Sequence, residues 1–322
     1  MQTILIVSEQ TDLTTDKVIE WLQFDQKHKI IRINENDLIV IDEIKPRLKS
    51  IKISHHTLAT SIDLKGVLFF WYRRGNLNRN IDVPIQDLKT KKELWEFLNW
   101  EWVICRNYIM SVMKNKSSLG NYFKSTVNKL QNLEYAHECG FKIPETIVSE
   151  SSKISSSFIR KRSIITKAIG EAMSISQSNS FIDLSTSVVN KITMEIFYPS
   201  LLQERIDKWI ELRVFVSYDE IYAMAIFSQG NSKTDIDYRN YDRENPNRFV
   251  PFHLPKDIEE RVLQFMNISG LDTGSIDFIL TPEKEYIFLE INPAGNIEMV
   301  SEPCNYYLEK RIAEQILERI PL

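Results

Sequence analysis

"YIFLEINPAGN", residues 286–296, reads as a β-strand that ends abruptly. Apolar residues dominate it, yet it carries Glu290 and Asn292, and Pro293 and Gly295 then break it. The run before it, "GSIDFIL" (274–280), is a second strand, and "PEKE" (282–285) reads as the turn of an antiparallel hairpin. With Thr281 opposite Tyr286, the register sets Asp277 opposite Glu290. Side chains alternate along a strand. This register therefore puts Tyr286, Phe288, Glu290 and Asn292 on one face, and Ile287, Leu289 and Ile291 on the other. Ser275, Asp277 and Ile279 share a face of the partner strand. Directly opposed carboxylates lie within about 5.5 Å and repel unless a cation sits between them. Two carboxylates plus an amide oxygen one pleat along are hard ligands, suited to Mg²⁺ that also holds phosphate oxygens. The rival reading is a solvated polar face on an amphipathic hairpin. Apolar residues on both faces count against it, as does the break just past the ligands.

Upstream of this hairpin, "PKDIEERVLQFMNISG" reads as a helix with Pro255 near its start and Gly270 after its end. "SLLQERI", "ELRVFVS" and "IYAMAIFS" are β-rich runs, and "NSKTDIDYRNYDRENPNRFVP" (231–251) reads as a long polar loop carrying Arg239, Arg243 and Arg248. "SIITKAI" is a strand within a Ser-rich region. "YFKSTVNKLQNLEYAHECG" reads as a helix closed by Gly140, and Thr90–Met113 carries apolar residues at helical spacing. The first third alternates strand and helix, from "TILIVS" through a helix capped by Thr14 or Thr15 to the aromatic strand "GVLFFWYRRGNL". "YLEKRIAEQILERI" forms a closing helix. A chain of 322 residues accommodates two or three domains. The polar break at 114–121 divides an N-terminal domain, 1–115, from 116–200 and 201–322.

Net charge is −4, which gives no overall reason to expect nucleic acid as a partner. No apolar run approaches a membrane span, and "MQTILIVSEQTD" reads as a first strand without a signal peptide. Cys105, Cys139 and Cys304 are widely spaced and odd in number, which argues against a disulfide framework or a zinc site and for a reducing cytoplasm. The five histidines form no ligand set. His55 and His56 are adjacent and project to opposite sides of a strand, and His137 reads as packing. No G-x-S-x-G or Walker A pattern occurs.

Asp277 followed by "LEINPAGN" resembles the metal-binding end of the ATP-grasp ligases. Three further stretches agree in order and spacing over roughly residues 116–322. "VNKLQNLEYAHECGFKIPETIVS" is similar to the family's opening helix, whose lysine (here Lys129) reaches nucleotide phosphate. "SIITKAIGE" is similar to the strand with the phosphate-binding lysine, here Lys167. "LLQERIDKWIELRVFV" resembles the adenine hinge and the arginine-bearing strand after it. The resemblance implies an α/β (α+β) ATP-grasp fold with an N-terminal α/β pre-ATP-grasp domain. It further implies ATP and Mg²⁺ as cofactors, with metal ligands Asp277, Glu290 and Asn292. Gln203, Glu204 and Ile206 would line the adenine edge, mostly through backbone groups, and Arg213 would face the phosphates or an acyl phosphate. "GVLFFWYRRGNL" before a Trp-rich helix, together with Asp237, Tyr238 and Arg239, resembles the subset of ATP-grasp enzymes that cyclise ribosomally made peptides. These are the microviridin or graspetide ligases, including the grasp-with-spasm subgroup. Arg239 would then grip the carboxylate being activated. A precursor peptide of leader and core is the implied partner, and a homodimer the implied assembly.

Departures and rivals stay open at this stage. The phosphate-covering segment "KAIGEAMSISQSNSF" has one glycine, where the family has a glycine-bearing hairpin. Lys167 also reads as an edge-strand lysine. Lys129 also reads as a solvated helix face, and Glu211 with Arg213 as a structural ion pair. Arg73 and Arg74 read as structural or as precursor-binding, and Trp95, Trp100 and Trp102 as a leader groove, core or dimer interface. Two other functions share parts of the pattern: a ligase adding free amino acids to a protein tail or metabolite, and a nucleotide-binding module without catalysis. Intact acidic ligands and lysines count against the second.

Overall fold

The computed structural model describes residues 2–55, 60–80, 82–126, 128–170, 174–177, 180–183, 186–229 and 246–321. Contacts divide the chain into two units, Met1–Ser125 with Tyr307–Leu322, and Thr126–Tyr306.

The first unit contains β1 (Thr3–Ser8), α1 (Leu13–Gln23), β2 (Lys29–Asn34), β3 (Ile39–Lys45), β4 (Ser50–His55), β5 (Thr60–Asp63), β6 (Val67–Tyr72), α2 (Leu88–Lys114) and β7 (Ser117–Leu119). Its parallel sheet runs in the order β2-β1-β6-β7, and β3-β4-β5 form a separate antiparallel sheet. Every residue of β1 is buried, as a parallel strand covered on both faces requires. The helix α2 starts at Asp87, whose carboxylate accepts the Thr90 backbone N–H at 2.8 Å. It buries Trp102, Ile109, Met110 and Met113 in the unit's core. The Trp102 indole N–H donates to the Leu77 carbonyl at 3.1 Å. The helix α1 is capped neither by Thr14 nor by Thr15, both of which are buried within it. Thr15 instead donates to Asp12 at 2.7 Å, and the buried Arg73 meets the same carboxylate at 3.1 Å. Arg73 is thus a structural partner of Asp12, and burial lowers its pKa to about 10. The closing helix, Leu308–Glu318, packs against α1 in this unit, although sequence order had placed it with the last subdomain.

The second unit contains α3 (Lys129–Glu138), β8 (Thr146–Ser151), α4 (Ser152–Ile159), β9 (Ile164–Lys167), β10 (Ser174–Gln177), β11 (Ser180–Asp183), β12 (Ser187–Val188), β13 (Ile196–Glu204), β14 (Ile210–Ser217), β15 (Glu220–Phe227), β16 (Arg248–Phe252), α5 (Lys256–Ser269), β17 (Thr273–Leu280), β18 (Tyr286–Asn292) and α6 (Glu298–Cys304). One sheet has the order β12-β9-β13-β8, a second β16-β15-β14-β17-β18, and β10 pairs with β11. The helix predicted from Tyr122 is shorter than expected. Residues 122–124 form a 3₁₀ turn, and Asn128 caps α3 by accepting from the N–H groups of Leu130 and Gln131. Arg248–Phe252 is the edge strand β16 where a loop was expected, because its backbone pairs with Ala223–Phe227.

Leu212, Val214 and Val216 of β14, Ile276, Phe278 and Leu280 of β17, and the inner faces of α3 and α5 make one apolar cluster. Phe288 sits at its centre, with ring centroids 4.9 Å from Phe265, 5.7 Å from Phe278 and 6.4 Å from Phe141. Such aromatic pairs contribute about 0.5–1.5 kcal/mol each beyond area burial. This packing fixes one face of the second sheet. The other face carries the polar residues.

Candidate active site

Three strands carry one row of charge across the second sheet. Arg213 of β14 lies opposite Asp277 of β17, and Asp277 lies opposite Glu290 of β18. The predicted juxtaposition of the two carboxylates is therefore present, but the route to it differs. Thr281 does not pair with Tyr286. Its N–H bonds the Glu285 carbonyl at 3.0 Å, and Leu280 pairs with Tyr286. The loop is three residues long, with Lys284 at φ +63° completing it. A β-bulge between Asp277/Phe278 and the opposing Phe288–Glu290 then shifts the register back by one. The bulge also corrects the facial assignment. Phe288 and Ile291 both enter the apolar cluster, so Glu290 does not share a face with Phe288 as simple alternation required.

Asp277 and Glu290 are both largely buried, at 9% and 15% side-chain exposure. Two carboxylates about 5.5 Å apart repel by about 3 kcal/mol at an effective dielectric of 20. Cations offset this from both sides. The Arg213 Nη1 donates to both Asp277 oxygens, at 2.8 and 2.9 Å. The Lys129 Nζ lies 3.4 Å and the Lys167 Nζ 3.6 Å from Glu290 Oε2, and Lys129 also donates to the Ala168 carbonyl at 3.1 Å. Lys129 opens α3 and Lys167 ends β9, so two separate elements deliver an ammonium to one carboxylate. Lys129 is therefore not a merely solvated helix lysine, and Lys167 stands on β9, which pairs with both β12 and β13 and is not an edge strand. Among the described residues of this row, three cations against two carboxylates leave one net positive charge in a half-buried place, which suits a polyanion such as a nucleotide phosphate chain.

Arg213 does not settle on Glu211 as the rival ion-pair reading held. Glu211 accepts from Lys208 at 2.6 Å and from Ser228 at 2.7 Å, and burial raises its pKa despite both partners. Lys208 and Ser228 were not singled out from sequence. The available signal was an acid in a strand whose only other polar residues are Arg213, two residues away, and Ser217 at its end. Gly295 closes over the row: a Cβ there would stand 2.8 Å from Arg213 Nη2 and 2.8 Å from Ser275 Oγ. That close approach is why the strand ends in "NPAG".

Asn292 lies opposite Ser275, one row beyond the carboxylates, and is exposed. Its Oδ1 accepts the Ala294 N–H at 3.0 Å and retains a second lone pair. Asp277 on β17 with Glu290 and Asn292 on β18 thus offer hard oxygen donors, a donor set that fits Mg²⁺. Gln203 is buried with its amide donating to Thr146 Oγ1 at 2.9 Å, so its side chain ties β13 to β8. Glu204 and Ile206 are half-buried at the end of that strand. Arg239, with Asp237 and Tyr238, lies outside the described residues, as does part of the single-glycine phosphate segment. Among the described residues, no helix is long and apolar enough to cross a membrane.

No family model matches the chain, and no curated protein matches it. Solved structures match it end to end. A RiPP-associated ATP-grasp ligase from Chryseobacterium gregarium is 26% identical, with 100% of this chain and 98% of that one covered and a TM-score of 0.81. That ligase was solved in complex with ADP and a leader and core peptide. The macrocyclase MdnC from Microcystis aeruginosa MRC, bound with its precursor peptide MdnA, is also 26% identical. The match covers 98% of this chain and 100% of MdnC, at a TM-score of 0.78. At 10% identity and a TM-score of 0.56, the VanG D-Ala:D-Ser ligase from Enterococcus faecalis shares the fold. The chain therefore has the ATP-grasp ligase fold, and its full-length likeness is to RiPP-associated ligases and macrocyclases.

Proposed function

We propose that this protein is an ATP-dependent ligase acting on a ribosomally made precursor peptide. It activates Asp or Glu side chains of the core and joins them to Ser or Thr hydroxyls, or to a Lys amine, of the same peptide. The observation that carries this reading is the convergence of Lys129 and Lys167 on Glu290, beside the Arg213–Asp277 pair. The likeness to a ligase solved with ADP, a leader and a core peptide supplies the substrate class.

Lys129, Lys167 and Arg213 hold the phosphates, exchanging carboxylate contacts for phosphate oxygens of greater charge. The backbone of Gln203, Glu204 and Ile206 takes the adenine edge, since the Gln203 side chain is already committed to Thr146. Asp277, Glu290 and Asn292 would hold Mg²⁺, which would supply positive charge against the phosphates. The terminal phosphoryl group passes to an oxygen of the peptide carboxylate and ADP leaves. A hydroxyl or amine of the peptide then attacks the carbonyl carbon, loses its proton and expels phosphate. Arg213 and Arg239 are the residues assigned to the acyl phosphate and to the carboxylate being activated. Within this reading, the second unit divides at 200/201 into a central and a C-terminal subdomain, hinged at 203–206, with the closing helix left to the first unit. Three free cysteines suit a reducing cytoplasm, and the working assembly is a homodimer.

Nucleotide binding tests the phosphate cradle directly. Titration calorimetry with ADP and Mg²⁺ on wild type, Lys129→Ala and Lys167→Ala is expected to show at least a tenfold loss of affinity for each variant. Equal affinity across all three would remove the lysines from the site. ADP release stimulated by free amino acids, with no peptide modified, would move the function to a ligase of small substrates.

A further inference from the structure

We infer that Ser275 is a positioning residue for the metal site: its hydroxyl accepts a hydrogen bond from the side-chain NH₂ of Asn292 and so keeps the amide oxygen turned to Mg²⁺. The inference rests on the metal reading of Asp277, Glu290 and Asn292 above and adds what orients the third of those ligands.

Ser275 stands on β17 two residues before Asp277 and on the same polar face, since Ile276 between them enters the apolar cluster. It is 1% exposed, and its Oγ has no hydrogen-bond partner among the described residues. The turn after β18 closes over it: a Cβ on Gly295 would stand 2.8 Å from Ser275 Oγ. A buried hydroxyl without a partner forfeits its bonds to water and gains none in return. Alanine would fill the place without that loss, so packing alone does not account for a serine here.

The strand register narrows the partner. On one side Ser275 pairs with Phe215, which has no polar side-chain atom, and on the other with Asn292. Asp277, next on the same face, has both oxygens on Arg213. Opposed residues of antiparallel strands have Cβ atoms about 4.5–5.5 Å apart. The serine oxygen lies one bond beyond its Cβ and the amide nitrogen two bonds beyond its own. Rotation of the Asn292 side chain therefore brings the two to hydrogen-bond distance.

An amide needs such a partner when it binds a cation. Its oxygen and its NH₂ are nearly the same size, and a half-turn exchanges a ligand for a group that repels the metal. Metal ligands are held the right way round by the bonds of their other atoms. The Ala294 N–H, at 3.0 Å, holds the Asn292 oxygen. The nitrogen is left for Ser275, whose hydroxyl has lone pairs to receive it. The two are not bonded in this structure, so this hydrogen bond forms as the site fills, and the serine finds its partner then.

Titration calorimetry of ADP, once with Mg²⁺ and once with EDTA, is the test, on wild type, Ser275→Ala, Asn292→Asp and the double variant. The ratio of the two affinities measures what the metal contributes. In Ser275→Ala that ratio is expected to fall about tenfold, as when a metal ligand loses its outer partner, while affinity in EDTA holds. In Asn292→Asp either side-chain oxygen can serve as the ligand, so adding Ser275→Ala there is expected to leave the ratio unchanged. Without nucleotide, Ser275→Ala is expected to resist urea at least as well as wild type, since the hydroxyl without a partner is gone. A wild-type ratio of one would overturn the metal reading and this inference together. A metal-dependent wild type whose ratio survives Ser275→Ala would overturn this inference alone. So would an equal fall in both backgrounds, an Asn292→Asp chain without metal dependence, or a Ser275→Ala chain that unfolds earlier in urea.

Discussion

Replacing Arg213 by Met keeps most of the stem and removes the fork that holds Asp277 at 2.8 and 2.9 Å. Asp277 stays buried at 6% exposure, opposite Glu290, on which both lysines converge. Stripping one partner from a buried pair costs about 3–5 kcal/mol, within which the carboxylate repulsion is about 3 kcal/mol. At about 2–4 °C per kcal/mol for a unit of this size, the melting temperature falls by roughly 6–20 °C. The double variant Arg213→Met/Asp277→Leu removes both charges and the repulsion together. Its loss is expected to stay within about 2 kcal/mol, giving a coupling of about 2–3 kcal/mol. Urea unfolding of wild type, both single variants and the double variant measures that coupling, with nucleotide binding followed in parallel. Stability returns in the double variant while nucleotide binding remains lost. A double variant as unstable as Arg213→Met alone would refute the claim that the stranded carboxylate is what destabilises.

Four further outcomes follow from particular contacts. Gly295→Val forces a side chain to within 2.8 Å of Arg213 and Ser275, and is expected to lower ADP affinity at least tenfold in calorimetry while leaving the first unit folded. Lys284 holds φ +63°, so Lys284→Gly should raise stability to urea by up to about 1 kcal/mol. Burial pushes the Cys304 thiol up to about 11 and raises that of Cys139, whereas Cys105 is half-buried; mass mapping should find iodoacetamide on Cys105 first. Glu211 binds its proton more tightly folded than unfolded, so its contribution is full below the ordinary glutamate range and declines as pH rises through the raised value. The melting temperature of Glu211→Gln should show less of this decline than wild type.

The strands and most helices were legible because their apolar periods are clear, as in "TILIVS" and in Lys256–Ser269 with Gly270 at φ +65°. The Asp277–Glu290 pairing was also legible, but only because two unseen features cancelled. No glycine or asparagine marks Lys284 as the left-handed residue of a three-residue loop, so the turn was read one residue too long. Nothing in "YIFLEIN" marks a bulge either, since the bulge serves to bring Phe288 and Ile291 into one core. The partners of the lysines were out of reach from local pattern, because Lys129 and Glu290 are 161 positions apart and only the packing of α3 on β18 joins them. Arg248–Phe252 was read as loop because an edge strand has one paired side and tolerates polar, proline-bearing sequence such as "RFVPF". The return of the last helix to the first unit is a long-range packing choice that its own amphipathic pattern does not encode.

The central claim is best tested by intact mass. The protein is co-expressed with a small peptide rich in Thr and Glu, or Ser and Asp, encoded beside it, and the peptide is weighed. Loss of one water for each crosslink, abolished by Glu290→Gln in a chain that still folds, is the result this account predicts. An unchanged peptide mass with wild type, or water loss that persists in Glu290→Gln, would contradict it.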